Sequence, residues 1–140
     1  MGAVKYLLDT DTCISLLDSR EPEKQERILR RLDRTAPTDV ALSTITVSEL
    51  AFGVENSRFR KANAAALDTF LLDFSILAFD EKASRETGKV RAELEKRGQR
   101  IGVMDTMIAA HARSLAMTVV TNNTVHFSKV GGLKVENWSV

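Results

Sequence analysis

One cysteine, two prolines and two histidines stand among the 140 residues of this chain, and no apolar run approaches the roughly 20 residues that a bilayer-spanning helix needs. Each scarcity excludes something. Cys13 alone cannot close an internal disulfide, and its place beside Ile14, Leu16 and Leu17 reads as a small buried hydrophobe. Cys13, His111 and His126 lack the ligand spacing of a zinc site. The N-terminus has no basic segment followed by a long apolar stretch, so a cytoplasmic protein without membrane attachment is expected. There is no glycine-rich loop of the Walker type, no internal repeat and no low-complexity tract. Ser43 and Ser48 have no base beside them in the sequence, which leaves a serine nucleophile unsupported. The net charge of +1 neither demands nor excludes a nucleic-acid partner, so any basic surface must be local.

What is present is ordinary globular material: 44% hydrophobic and 28% charged residues, which suits a soluble core-forming protein rather than a disordered one. The length fits one domain, taken as residues 1–140. The stretch Val4 to Cys13 organises the rest. It is an apolar strand that ends in Asp9 and Asp11 just before a helical pattern begins, and such a strand is expected near the middle of a sheet. Capping of the next helix by Thr10 or Asp11 is the plainer role for that corner.

Further strands are read at Val40 to Ile45, Ser75 to Phe79, Met117 to Thr121 and Leu133 to Trp138, the last at an edge. Helical spacing lies between them: after Cys13, from Glu21-Pro22-Glu23, from Thr46, over residues 58–72, after Asp80 as N-cap, and over Thr106 to Ala112. Gly98 should close the helix that Asp80 opens. Thr46 and Glu49 stand three apart, the spacing of a capping box. The alternation of strand and helix predicts an α/β fold of three layers, with a mainly parallel sheet covered by helices on both faces.

Right-handed crossovers would gather Asp9, Glu49 and Asn123 at the carboxyl edge of that sheet, with Asp105 brought in by its helix. Carboxylates held together repel unless protons or cations compensate, and oxygen ligands suit Mg²⁺ or Mn²⁺. His111 lies six residues beyond Asp105, well round the helix, and a structural or surface role is expected for it.

The chain resembles the PIN-domain ribonucleases, and within them the VapC toxins of type II toxin–antitoxin modules. The resemblance rests on Tyr-Leu-Leu-Asp-Thr-Asp at 6–11, on Ser-Thr-Ile-Thr-Val-Ser-Glu-Leu-Ala-Phe-Gly-Val-Glu at 43–55 and on Arg-Ala-Glu-Leu at 91–94. It continues in Ile-Gly-Val-Met-Asp-Thr-Met-Ile-Ala-Ala-His-Ala at 101–112 and Val-Thr-Asn-Asn at 120–123. The ending from His126 to Trp138 is similar to the subgroup that cleaves initiator tRNA. The resemblance implies a PIN-like α/β/α fold and a metal-dependent endoribonuclease. It also implies a homodimer, inhibited by a VapB-type antitoxin in a toxin–antitoxin hetero-oligomer.

Carried over residue by residue, Asp9, Glu49 and Asp105 match the metal-binding acids, and Asn123, or Asn122, takes the fourth catalytic position, where many relatives have aspartate. Val103-Met104 also departs from relatives, which often have a polar pair there. The implied cofactor is Mg²⁺, with Mn²⁺ able to substitute. Thr10, Thr121 and Asn122 are candidate phosphate donors, and Arg97 and Arg100, with Arg58 to Lys61, are candidates to hold the RNA backbone, or else part of a solvated face. The alternatives are a catalytically silent RNA-binding or partner-binding module on the same fold, and a phosphoacceptor receiver. The middle strand offers no acceptor aspartate for the latter.

Overall fold

A computed structural model describes residues 4–140. Five strands form one sheet: β1 (Tyr6–Leu8), β2 (Val40–Ser43), β3 (Ser75–Leu77), β4 (Thr118–Val120) and β5 (Lys134–Glu136). Their spatial order is β3-β2-β1-β4-β5, and every neighbouring pair is parallel. β1 is central, as its apolar sequence predicts, pairing Leu7 with Ala41 on one side and with Val119 on the other. The helices are α1 (Thr10–Leu17), α2 (Pro22–Asp33), α3 (Thr44–Glu55), α4 (Arg60–Leu71), α5 (Glu81–Lys96), α6 (Val103–Ser114) and α7 (Thr124–Phe127).

Strand alternation divides the core in two. Leu7, Ala41 and Val119 face one way and pack with Val90 and Leu94 of α5, Ile108 and Ala112 of α6, and Phe127 of α7. Leu8, Leu42 and Val120 face the other way, against Cys13, Ile28, Leu50 and Leu67 of α1 to α4. The result is the three-layer α/β/α arrangement. Truncating a fully buried residue such as Leu8 to alanine would cost about 2–5 kcal/mol. β5 carries Lys134 and Glu136 on the sheet edge, where charge discourages further strand addition.

The helix termini decide where the site forms, and two of them differ from the sequence reading. α1 is capped by Asp9 rather than by Thr10 or Asp11: its backbone is extended (φ −78°, ψ 173°) and its side chain accepts from Thr12 N at 2.9 Å. α3 starts two residues earlier than Thr46 and is capped by Ser43, whose hydroxyl accepts from Ile45 N at 3.1 Å. Thr46 is therefore inside the helix and buried, so the capping box with Glu49 does not form. Asp80 does cap α5, accepting from Ala83 N. Gly98 ends α5 with φ +63°, and the paired bonds Gly98 N to Glu95 O and Gln99 N to Leu94 O complete the turn. α7 is not read from the sequence, because four residues are too few to show a helical period.

Candidate active site

Asp9 stands at the carboxyl end of β1 and is 2% exposed. Both its oxygens are engaged. Oδ1 accepts from Thr12 N, and Oδ2 accepts from Thr121 Oγ1 at 2.5 Å. Thr121 Oγ1 in turn accepts from Asn123 N at 2.8 Å, so a short chain of bonds joins the end of β1 to the loop after β4. Thr12 closes the same seam, donating its hydroxyl to Val120 O at 3.0 Å. Burial pushes the Asp9 carboxyl up to about 6, outweighing the bonds from Thr121 and Thr12, and the charge of Asp11 adds to the rise.

Glu49 lies on α3, one and a half turns in, where it faces α1. Its Oε1 accepts from Thr10 Oγ1 at 2.5 Å. Asp105 occupies the first turn of α6 and is partly buried. Its carboxyl is raised first by burial, against the lowering effect of His126 beside it, and further by the charges of Asp11 and Glu49. Asp105 therefore feels Asp11 and Glu49, and Asp9 feels Asp11, which makes the acids one electrostatic cluster.

Asn123 accepts from His126 N at 3.4 Å and so caps α7, while Asn122 donates from Nδ2 to Ser15 Oγ at 2.8 Å. Asn122 Oδ1 is closed to solvent and has no hydrogen-bond partner, as is His126 Nδ1. A buried acceptor in that state is worth about 1–3 kcal/mol to any group that satisfies it. Carboxylate and amide oxygens with raised carboxyl pKa values are a donor set for a hard divalent cation. Among the described residues no three His, Cys, Asp or Glu side chains are already arranged around a common point that would hold an ion. That is compatible with Mg²⁺, which keeps several waters and needs only one or two carboxylates.

The sequence matches the PIN domain family over residues 6–133. The chain belongs to the PIN-domain family. It is 37% identical to the tRNA(fMet)-specific endonuclease VapC of Shigella flexneri over 136 residues, covering 97% of this chain and 99% of that one. It is 39% identical to ribonuclease VapC2 of Haemophilus influenzae, with 96% and 98% covered. Among solved structures, DNA-bound VapBC from Salmonella typhimurium matches with a TM-score of 0.86 at 35% identity, covering 96% of this chain and 98% of that chain. This PIN domain is thus of the VapC type, a nuclease of the hydrolase class, in a family that generally uses divalent metal ions.

Within this PIN domain the structure brings Asp9, Thr10, Glu49 and Thr121 together by direct bonds and adds Asp105 through its field. Arg97 and Arg100 bond to none of these acids. Arg97 donates to Lys129 O. Arg100 lies beside Glu95, both lining a groove of about 500 Å³ between α5 and the start of α6 that Asp9, Glu49 and Asp105 do not line. Ser43, which has no base near it in sequence, is hydrogen-bonded to His111 Nδ1 at 2.9 Å. Both are buried, and Ser43 also caps α3, so the pair is structural. Burial holds the His111 pKa below its ordinary value. Thr12 and Ser15 are the residues that sequence reasoning missed, whereas it placed Asp11 only at the strand end and in a capping role, and weighed His126 only for zinc. The spacing of Asp9 and Thr12, three apart across a helix start, was the available signal for one of them.

Proposed function

We propose that this protein is a Mg²⁺-dependent endoribonuclease toxin that cuts RNA, initiator tRNA at or near the anticodon stem-loop above all, and so inhibits translation in the cytoplasm. A VapB-type antitoxin would neutralise it. The observation that carries the reading is Asp9: a buried carboxylate with no basic partner among its hydrogen bonds, at the carboxyl edge of a parallel sheet, in one electrostatic cluster with Asp105 and Asp11. Such a group is costly to a folded protein unless a cation compensates it.

Asp9 and Asp105 would hold the ion, with Glu49 as ligand or as orienter of one. A divalent cation there supplies Lewis acidity, drawing charge from a scissile phosphate and lowering the pKa of water. The chain's own residues fix the geometry. Thr12 N and Thr121 Oγ1 hold the Asp9 carboxylate in one orientation, and Thr10 holds Glu49. Holding these groups rigid is the protein's contribution to a transition state that gains negative charge. Asn123, or Asn122 with its unpartnered amide oxygen, would take the fourth position.

A homodimer is proposed as well, as the likeness to the VapC toxins implies, with Phe59 and Leu72, 70% and 84% exposed at the two ends of α4, open to contact. No helix among the described residues is long and apolar enough to cross a membrane. The test is incubation of the purified protein with total tRNA, with Mg²⁺ and with EDTA, followed by mapping of new ends. Discrete cuts in one tRNA, abolished by EDTA, are expected. No cleavage at all would favour a silent RNA-binding module, and full cleavage in EDTA would remove the metal from the mechanism.

A further inference from the structure

His126 is the residue of the site for which the cluster of acids has no account. It lies on α7, and its backbone N–H is held by the side chain of Asn123. The ring sets Nδ1 at 3.6 Å from Asp105 Oδ2. Nδ1 is closed to solvent and has no hydrogen-bond partner, although the side chain as a whole is 40% exposed. A separation of 3.6 Å is not a hydrogen bond. A nitrogen and a carboxylate oxygen thus stand opposite each other at ion-pair distance but without a hydrogen bond, in a part of the molecule where polar atoms are normally satisfied.

The gap has the dimension of a coordination edge. Two donors on one divalent ion, each about 2.0–2.3 Å from it and separated by an angle between 90° and tetrahedral, lie about 2.8–3.8 Å apart. Resting on the metal-dependent reading above, we propose that His126 Nδ1 is a nitrogen ligand of the site's divalent ion alongside Asp105 Oδ2, and that it sets the site's preference for Mn²⁺ over Mg²⁺. Mg²⁺ takes oxygen ligands and gives up water reluctantly, whereas imidazole suits the transition ions. Two protein donors leave the other positions to water and to phosphate oxygens, so no closed cage is required. The chain's other histidine, His111, is 1% exposed and bonded to Ser43, so an imidazole bound to an added ion reports His126.

The experiment uses untagged protein freed of metal and loaded with Mn²⁺ alone. Pulsed electron paramagnetic resonance of the parent should show the coupling of a directly bound imidazole ¹⁴N, and the signal should vanish in H126A and H126N. In calorimetric titrations without RNA, the parent should bind Mn²⁺ at least about tenfold more tightly than Mg²⁺. H126A should lose about 10–100-fold in Mn²⁺ affinity and less than about threefold for Mg²⁺. Melting in EDTA verifies that the variants fold, and the parent's ¹⁴N signal decides the matter even if they do not. Absence of that coupling, or equal losses for the two ions, overturns the proposal. A parent that needs the ion to cut RNA yet shows no ¹⁴N coupling sinks this inference alone, whereas a parent that cuts fully in EDTA sinks the metal reading beneath it.

Discussion

Thr10 donates its hydroxyl to Glu49 across the junction of α1 and α3, two residues 39 apart in sequence. This bond fixes the one acid of the cluster that comes from the body of a helix. Thr10→Val keeps the shape and removes the donor. Cleavage should fall about 10–100-fold, the usual loss when a partner of a working ligand is removed. Thr10→Ser should retain most of the rate. Single-turnover cleavage of a purified tRNA measures both, and an unchanged rate in Thr10→Val would show that Glu49 needs no such support.

Glu49 itself separates activity from stability. Because Ser43 caps α3, Glu49 makes no capping bond, and the loss of its carboxylate removes only the contact with Thr10. Glu49→Gln and Glu49→Ala should both abolish cleavage, with stability changed by less than about 1 kcal/mol in urea melts. A larger loss in Glu49→Ala would mean that the side chain carries fold energy of another kind.

Asp9 makes the metal-free protein sensitive to pH in an unusual direction. Its folded pKa, about 6, lies above the ordinary value of 3.8, so between those values the folded state binds more protons than the unfolded one. Its contribution is neutral at low pH, and stability is lost as pH rises through that window, to about 3 kcal/mol above pH 6. Melting curves in EDTA at pH 5 and pH 7.5 should show it. Asp9→Asn, which keeps an acceptor for Thr12 N, should remove this dependence and raise apo stability at pH 7.5 by about 1–3 kcal/mol while abolishing cleavage.

Added Mg²⁺ or Mn²⁺ should reverse the same penalty. The melting temperature of the parent should rise with ion concentration, by the equivalent of about 2.7 kcal/mol at a hundred times Kd. Asp9→Asn and Asp105→Asn should respond far less. An Asp9→Asn, Asp105→Asn double variant that is still stabilised by the ion and still cuts RNA would place the site elsewhere.

Thr121→Val tests the seam between the two ends of the chain. It removes the donor to Asp9 Oδ2 and leaves Asn123 N without its acceptor, at a cost of about 1–3 kcal/mol. The lost donor should lift the Asp9 carboxyl further. The acid limb of the pH–rate profile should then move to higher pH, a shift that a purely structural defect would not produce.

The strands and the acids were legible because both are local signals. Apolar runs such as Tyr6 to Leu8 and Thr118 to Val120 announce themselves, and an acid directly after a strand is placed by topology alone. What sequence could not supply was competition between neighbouring polar groups. Asp9, Thr10 and Asp11 are all able to cap α1, and only the extended backbone at Asp9 decides among them. Ser43 preempts Thr46 for a similar reason. Long-range partners were equally hidden: nothing near Ser43 in sequence points to His111, and nothing near Asn122 points to Ser15. Arg97 and Arg100 were singled out by clustering, but Arg97 is engaged with Lys129 O and Arg100 lies beside Glu95.

The bonds from Thr12 to Val120 and from Thr121 to Asp9 span 108 and 112 residues of sequence. β1 is made first during synthesis, yet its outer neighbour β4 and the hydroxyl that holds Asp9 come in the last fifth of the chain. A nascent polypeptide that ends before residue 118 carries Asp9, Glu49 and Asp105 but lacks both the Thr121 hydroxyl that holds Asp9 Oδ2 and the β4 neighbour of β1. The site described above is therefore completed only when synthesis is nearly done.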